Sequence, residues 1–226
     1  LRSGEMGSVN QDSLISIFQN KTILIFGGSY GIGESIGSKA QAFGANVATF
    51  SRSVTGTDVQ EIEDVRKALV ETREKYGSID FVVNTAGLLK ISRLDELNDE
   101  EVEDLIGVNY LGAVNVARAS FQYLQDTKGH LLLFTSSSYT RGRANYSLYS
   151  SSKAAVVNLV QALSDEWFEM GVSINCINPE RTKTPMRVQN FGDEDPATLL
   201  DADTVAETSL QVLSSGLSGS VIDVRQ

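Results

Sequence analysis

The stretch Thr22–Gly37, TILIFGGSYGIGESIG, predicts the architecture of this chain. It joins a short apolar, β-branched run to a glycine cluster and then to an amphipathic helical segment. Glycine allows the backbone to adopt positive φ and to approach a ligand closely, and the first turn of a helix offers free N–H groups to an anion. The stretch therefore predicts a phosphate-binding turn between a strand and a helix, built from Gly27, Ser29, Gly31, Ile32 and Gly33.

Further apolar runs repeat this alternation of strand and helix along the chain. We expect strands at 22–26, 46–50, 81–84, 131–135, 173–177 and 220–224. Between them the sequence predicts helices at 31–43, 60–76, 99–124, 147–170 and 203–214. Continuous apolar strands that alternate with helices are typical of a parallel sheet covered on both faces. The predicted fold is α/β, a single Rossmann-like, doubly wound parallel sheet.

Composition limits the number of domains. The chain has 226 residues, of which 41% are hydrophobic and 21% charged, enough for one sizeable core. We assign residues 21–226 to that domain and residues 1–20 to a linker or N-terminal extension. The chain begins with Leu1, which is explained equally well by a cut from a longer protein or by a few missing leading residues.

Charge and side-chain counts narrow the classes of partner. A formal net charge of -10 without a basic block argues against nucleic acid and anionic membrane surfaces. Cys176 is the single cysteine, so it cannot form an internal disulfide, and His130 has no second histidine or cysteine at zinc-ligand spacing. We predict no metal site. Because the sequence has neither a membrane-spanning run nor a secretory signal, we also predict a soluble, cytoplasmic protein.

The end of the second predicted strand indicates which dinucleotide would bind. Sheets that bind NAD usually carry an acidic residue there, which holds the adenosine ribose. This chain has Ser51 and Arg52 instead. A guanidinium can hold a phosphate through two charge-assisted hydrogen bonds, so the position favours the 2′-phosphate of NADP.

A cluster of hydroxyl and amine side chains follows the fourth predicted strand. Tyr149 and Lys153 are four residues apart on a predicted helix and therefore share one face. A neighbouring ammonium lowers the pKa of a phenol, which makes Tyr149 a better proton donor at neutral pH. Ser136, at the strand end, could bind the same substrate oxygen. Tyr146 is a competing candidate, but no lysine lies four residues after it.

From about Lys21 onward the chain resembles the short-chain dehydrogenase/reductases. The shared motifs are the Gly27-x3-Gly31-x-Gly33 turn, NTAG at 84–87, VNYLG at 108–112, Ser136, Tyr149-x3-Lys153 and the Pro179 to Thr184 loop. The resemblance implies that Tyr149 is the general acid, that Ser136 positions the carbonyl and that Lys153 binds the nicotinamide ribose. It also implies a tetrad completed by Asn109 through a water, and cofactor contacts from Asn84, Gly87 and Thr184.

This chain departs from the family pattern at three positions, the first being Phe26, which precedes the glycine motif where many members have threonine. Thr85 stands where asparagine is commoner, and Glu180 replaces the glycine that usually follows the proline. The resemblance further implies a homodimer or homotetramer that pairs through the two long helices. A catalytically silent NADP sensor or scaffold with the same fold is an alternative, although a sensor needs no proton donor.

The loop after the fifth predicted strand is rich in cations. Near the expected substrate mouth we place Arg181, Lys183, Arg187, Arg141 and Arg143. In an acidic protein this cluster predicts a small anionic substrate, although exposed cations can also pair with acids such as Glu180, Asp193 and Glu194. A 3-oxoacyl thioester carried by an acidic protein is the alternative substrate.

The segments NPERT and TPMR within 178–187 also resemble the reductase part of bifunctional enzymes that make CDP-ribitol for capsule or wall polymers. Such a reductase converts D-ribulose 5-phosphate to D-ribitol 5-phosphate with NADPH. This resemblance implies a sugar phosphate as the substrate, and fusion to an N-terminal cytidylyltransferase domain.

Overall fold

Six parallel strands form one central sheet in the order β2-β1-β3-β4-β5-β6. The computed structural model of the protein describes residues 11–226. The strands are Thr22–Phe26 (β1), Asn46–Phe50 (β2), Phe81–Asn84 (β3), His130–Phe134 (β4), Ser173–Pro179 (β5) and Val221–Val224 (β6). Every predicted strand is present, and the reversal of strand order beside β1 is that of a doubly wound sheet. The predicted fold is therefore confirmed.

Helices cover both faces of this sheet. They are Gln11–Phe18 (α1), Gly31–Ala42 (α2), Ile62–Tyr76 (α3), Asp99–Ile106 (α4), Gly112–Thr127 (α5), Ser147–Trp167 (α6), Pro185–Phe191 (α7) and Ala202–Leu213 (α8). Within residues 11–226, no helix is long and apolar enough to cross a membrane.

The alternation of side chains along β1 divides the core into two layers. Leu24 and Phe26 are buried in the layer that contains residues of α3, α5 and α6. Ile23 and Ile25 are buried in the layer that contains residues of α1, α2 and α8. Successive residues of a strand point to opposite faces, so one apolar strand supplies both layers.

Helix α1 was not predicted by the sequence, because its segment was assigned to the extension. Leu14 and Phe18 on this helix are buried, and the Phe18 ring centre lies 5.0 Å from that of Phe81. Residues 11–18 therefore pack on the second core layer. The first ten residues of the predicted extension lie outside the described part of the chain.

The long helix predicted at 99–124 is interrupted. Helix α4 ends at Ile106, a π-helical turn occupies Gly107–Leu111, and α5 begins directly after it at Gly112. Within this turn the Asn109 side chain donates a hydrogen bond of 2.9 Å to the Leu105 carbonyl. Such turns insert one residue into a helix and often occur at functional sites.

Strand β2 lies at one edge of the sheet. The Asn46 N–H donates to the Lys21 carbonyl, and the Phe50 carbonyl accepts from the Gly27 N–H. Because alternate residues of a strand direct their backbone groups to opposite sides, the backbone groups of Val47 face outward. The Tyr76 hydroxyl at the end of α3 donates to the Val47 carbonyl at 3.1 Å. The edge next to the predicted cofactor site is therefore partly capped.

Candidate active site

The glycine turn after β1 has the backbone geometry that only glycine adopts easily. Gly27 has φ of +81° and Gly31 has φ of +62°. A Cβ on Gly33 would lie 2.4 Å from the Gly27 carbonyl oxygen, which shows how closely the helix start packs on the turn. The Thr85 hydroxyl lies 3.0 Å from both the Phe26 and Gly27 carbonyl oxygens. Thr85, which stands where asparagine is commoner, thus supports the turn from the end of β3.

Two neighbouring cavities open at the carboxyl ends of the strands. One, of about 220 Å³, extends from the glycine turn past Ser136, Tyr149 and Lys153 to helix α7. The other, of about 280 Å³, lies toward β2. Both are lined by Gly27, Tyr30, Ser51, Ala86 and Gly87. The shared walls make one trough that crosses the switch in strand order, where doubly wound sheets bind their ligands.

Hydroxyls and a guanidinium collect at the β2 end of this trough. The Ser29 and Ser51 hydroxyl oxygens are 2.5 Å apart, and Ser53 is 3.4 Å from Ser51. Arg52 lines the cavity with Ser51 and Ser53, and its Nη1 lies 3.2 Å from Asp58 and 3.9 Å from Asp104. The cluster has donors suited to a phosphate, and the Arg52 charge is shared with two carboxylates.

The predicted catalytic side chains meet in the middle of the trough. Ser136 follows β4, while Tyr149 and Lys153 share one face of α6. Lys153 is only 5% exposed, lies 5.6 Å from the Tyr149 ring centre and donates to the Phe134 carbonyl at 3.1 Å. The structure thus brings together the phenol, hydroxyl and amine that the sequence predicted.

The protonation of these groups differs from the sequence expectation. Burial raises the pKa of Tyr149, and a hydrogen bond with Ser136 and the charge of Arg187 oppose that rise. Burial lowers the pKa of Lys153 to about 8. Lysine was expected to lower the pKa of Tyr149, but its ammonium is directed to a backbone carbonyl and desolvation dominates for the phenol.

Asn109 lies behind the cavity wall rather than in it. Its Oδ1 accepts from Leu88 N at 3.0 Å, and its Nδ2 donates to the Leu88 carbonyl at 2.7 Å. A Cβ built on Gly87 would lie 3.4 Å from Asn109 Oδ1 and 3.7 Å from Lys153 Nζ. Asn109 therefore holds the chain after β3 against the π-helical turn, close to Lys153.

The remaining predicted cofactor residues divide into two groups. Most of them line the trough: Gly27, Gly31, Ile32, Gly33, Ser51, Arg52, Gly87 and Thr184. Asn84 is buried and accepts from Ala86 N at 3.1 Å, so its side chain shapes the turn after β3. Ser29 also is not a lining residue, but its hydroxyl contacts that of Ser51, which lines the trough.

Only part of the predicted cation cluster faces the cavity. Arg181 and Arg187 line it. The exposed residues Arg141, Arg143 and Lys183 are not among its lining residues. Arg187 also pairs with Glu194, whereas Glu180 turns toward Arg225, 3.9 Å away. The geometry thus favours two of the five cations as ligands for a substrate anion.

Sequence reasoning missed several lining residues. Tyr30, Asp58, Met186 and Phe191 all border the trough. Asp58 follows Ser51 and Arg52 closely in sequence, and that proximity could have indicated that it also borders the trough. Met186 and Phe191 belong to α7, which has no buried residue and therefore no apolar periodicity to reveal it.

Comparison with known proteins agrees with this geometry. The family model described as short chain dehydrogenase matches residues 53–195. The chain belongs to the short chain dehydrogenase family. Proteins similar to this chain include an uncharacterized oxidoreductase, YciK of Escherichia coli, which is 30% identical over 81% of this chain and 82% of its own.

A protein named for two activities is more similar to this chain. The bifunctional ribulose 5-phosphate reductase/CDP-ribitol pyrophosphorylase Bcs1 of Haemophilus influenzae is 49% identical over 206 residues. The match covers 91% of this chain and 43% of Bcs1, so the chain spans less than half of that relative's length.

A solved short chain dehydrogenase shares the fold closely. The enzyme from Burkholderia cenocepacia, in complex with NADP, superposes with a TM-score of 0.83 at 26% identity, covering 92% of this chain and 97% of its own. A 3-ketoacyl-(acyl-carrier-protein) reductase from Brucella melitensis, complexed with NADH, has a TM-score of 0.83 at 22% identity and covers 91% of this chain and 97% of its own.

Proposed function

We propose that this oxidoreductase reduces the ketone of D-ribulose 5-phosphate to D-ribitol 5-phosphate at the expense of NADPH. The observation that carries the proposal is one cavity that joins Ser136, Tyr149 and Lys153 to the cations Arg181 and Arg187. A small molecule that carries a ketone and a phosphate would use both ends of this cavity, the ketone beside Tyr149 and the phosphate beside the cations. Support also comes from the 49% identity to a protein named as a ribulose 5-phosphate reductase.

The residues present fit NADP. The glycine turn at the start of α2 suits a pyrophosphate, and Ser29, Ser51 and Arg52 suit a 2′-phosphate. Bound NADPH supplies the hydride for the reduction. The NADP complex of the Burkholderia relative is consistent with this choice.

The chain's own residues then perform binding and proton transfer. Ser136 donates a hydrogen bond to the ketone oxygen, and the Tyr149 hydroxyl delivers the proton to that oxygen as it becomes an alcohol. Lys153, held by the Phe134 carbonyl, keeps a positive charge beside the phenol and stabilises its deprotonated form. Arg181 binds the phosphate at the mouth of the cavity.

The product would serve the formation of CDP-ribitol for capsule or wall polymers, in a protein that also carries a cytidylyltransferase. We also keep the proposal of a homodimer or homotetramer. Apolar side chains exposed on the helices expected to pair support it, with Ile106 at 43%, Leu111 at 46% and the neighbouring Phe168 at 73% exposure.

The decisive assay follows NADPH oxidation with ribulose 5-phosphate, ribulose and acetoacetyl thioester in parallel. We expect ribulose 5-phosphate to give the highest kcat/KM. A clear preference for the thioester would overturn the proposed substrate in favour of fatty-acyl reduction, and no turnover of any ketone would favour a sensor or scaffold.

A further inference from the structure

An ion pair ties the segment after β5 into a closed loop beside the cavity. Arg187 Nε lies 2.6 Å from Glu194 Oε2, and Arg187 Nη2 lies 2.9 Å from Glu194 Oε1. Arg187 is in the first turns of α7, and Glu194 follows the turn at Gly192, where φ is +72°. The Arg187 guanidinium also stacks 4.0 Å from the centre of the Phe191 ring. Three contacts therefore fix this guanidinium.

The two partners face different environments. Arg187 lines the cavity together with Arg181, whereas Glu194 is not among the lining residues. Their side chains are 19% and 21% exposed, so solvent screens the pair only in part. Hydrogen bonding from Arg187 lowers the pKa of Glu194, and the charge of Arg181 adds to this effect. Glu194 is thus a carboxylate at neutral pH, paired with Arg187 and outside the cavity lining.

We propose that Glu194 sets the affinity of the anion subsite formed by Arg187 and Arg181, because its carboxylate weakens the binding of any anion there. A guanidinium has five N–H donors, and Glu194 occupies two of those on Arg187. The others remain for a second anion, but that anion meets two cations and one carboxylate instead of two cations alone.

The carboxylate opposes inorganic phosphate and the phosphate group of a substrate alike, but the substrate has further contacts. Inorganic phosphate has only the charged subsite to bind, so the opposing carboxylate leaves its affinity low. A phosphorylated ketose also contacts Ser136 and Tyr149 at the other end of the cavity, and it still binds. The inference rests on the proposed function only in taking the substrate to be anionic.

Simple electrostatics gives the size of the effect. One unit charge ~8 Å from a phosphate dianion, at a dielectric close to that of water, changes binding by on the order of tenfold. Replacing Glu194 with glutamine removes the charge and keeps an oxygen that accepts a hydrogen bond from Arg187. The guanidinium therefore keeps its position while the subsite becomes more positive.

The test measures binding of inorganic phosphate to NADP-saturated protein by isothermal titration calorimetry, so that the phosphate sites of the cofactor are already filled. We expect Glu194→Gln to lower the Kd for phosphate on the order of tenfold. Asp193→Asn removes the same charge one residue away, on an exposed side chain, and should lower the Kd less than Glu194→Gln does. Adding Arg187→Met to Glu194→Gln should abolish the gain.

An unchanged or weaker phosphate affinity in Glu194→Gln would overturn the inference, and so would equal gains in Glu194→Gln and Asp193→Asn. If Glu194→Gln does not fold, as judged by circular dichroism, Glu194→Ser provides the same charge change under the same criteria. Tighter phosphate binding without turnover of ribulose 5-phosphate would refute the proposed function and leave this inference standing.

Discussion

The ammonium of Lys153 lies 5.6 Å from the centre of the Tyr149 ring and donates its hydrogen bond to the Phe134 carbonyl. The lysine therefore lies over the phenol ring, while its hydrogen bond to the strand end fixes its position. Since burial raises the pKa of Tyr149, the phenol is protonated at neutral pH and carries the proton that the proposed reduction needs, although the raised pKa makes it a weaker acid.

The first prediction concerns this proton donor. Tyr149→Phe should lower kcat by at least ~10²-fold, because it removes the only proton-bearing group on that ring, and Lys153→Ala should have a loss of similar scale. Steady-state NADPH oxidation measures both. Near-normal kcat in the Phe variant would transfer the role to Tyr146, whose ring centre lies 6.4 Å from that of Tyr149 and which also lines the cavity.

Cofactor preference should depend on Arg52. Arg52→Asp should reverse the preference from NADPH to NADH, because a carboxylate repels the 2′-phosphate and can bind a ribose hydroxyl. The Kd of each cofactor, from the fluorescence of the bound dinucleotide, measures the change. Arg66→Asp, on the exposed surface of α3, is the control for charge alone. Equal affinity of the unmodified protein for the two cofactors would contradict this prediction.

Phosphate recognition is expected to depend on Arg181. Loss of a charge-assisted contact is worth roughly 1.5–3 kcal/mol, so Arg181→Ala should reduce kcat/KM for ribulose 5-phosphate about 10- to 150-fold. The loss with unphosphorylated ribulose should be small. Lys183, two residues away, does not line the cavity, and Lys183→Ala should cost less. An equal loss with both ketoses would show that Arg181 does not bind the phosphate.

Stability should fall in mild acid because of His130. This histidine is buried, bonds to Asn175 at 2.9 Å, and has its pKa lowered to about 4 by burial. The unfolded chain, with a histidine pKa near ~6.5, binds more protons between these two values. The free energy of unfolding should therefore decrease as the pH falls from about 6.5 to 4, by up to ~1.4 kcal/mol per unit.

Urea unfolding of the unmodified protein and of His130→Gln at a series of pH values measures this contribution. The variant may differ in absolute stability, but its pH slope in that window should be flatter. Identical slopes would assign the acid sensitivity to other groups.

The first helix should contribute to the stability of the whole domain. Phe18 is completely buried against Phe81, so Phe18→Ala should lower the free energy of unfolding by about 3–5 kcal/mol. Ile15 on the same helix is 39% exposed, and Ile15→Ala should have a much smaller effect. Urea denaturation compares the two variants, and equal effects would contradict the packing of α1 on the sheet.

The elements that the sequence predicted well are those whose residues carry a local signal. Strands such as Thr22–Phe26 are continuously apolar because both faces are covered, and the Tyr149 and Lys153 spacing follows directly from a helical turn. Helix α7 has no buried residue, so no periodicity indicates it. The interruption at Gly107–Leu111 depends on contacts of Asn109 with Leu88, 21 residues away in sequence.

The ion pair of Arg187 and Glu194 is a further feature that no local sequence signal predicts. The sequence suggested that a nearby acid could pair with one of the loop cations, but the choice of partner depends on how Gly192 turns the chain back. Charges seven residues apart can meet only after that turn exists. Likewise, the exclusion of Arg141 and Arg143 from the cavity wall follows from the path of the loop before α6.

The phenol of Tyr76 has a consequence for the behaviour of the protein at high concentration. An outer strand with open backbone groups is a template on which another chain can add a strand, and such pairing leads to aggregates. By occupying the outward Val47 carbonyl, Tyr76 removes an acceptor that an incoming strand would need. The same side chain therefore hinders extension of the sheet between molecules at one position of this edge, beside the proposed cofactor site.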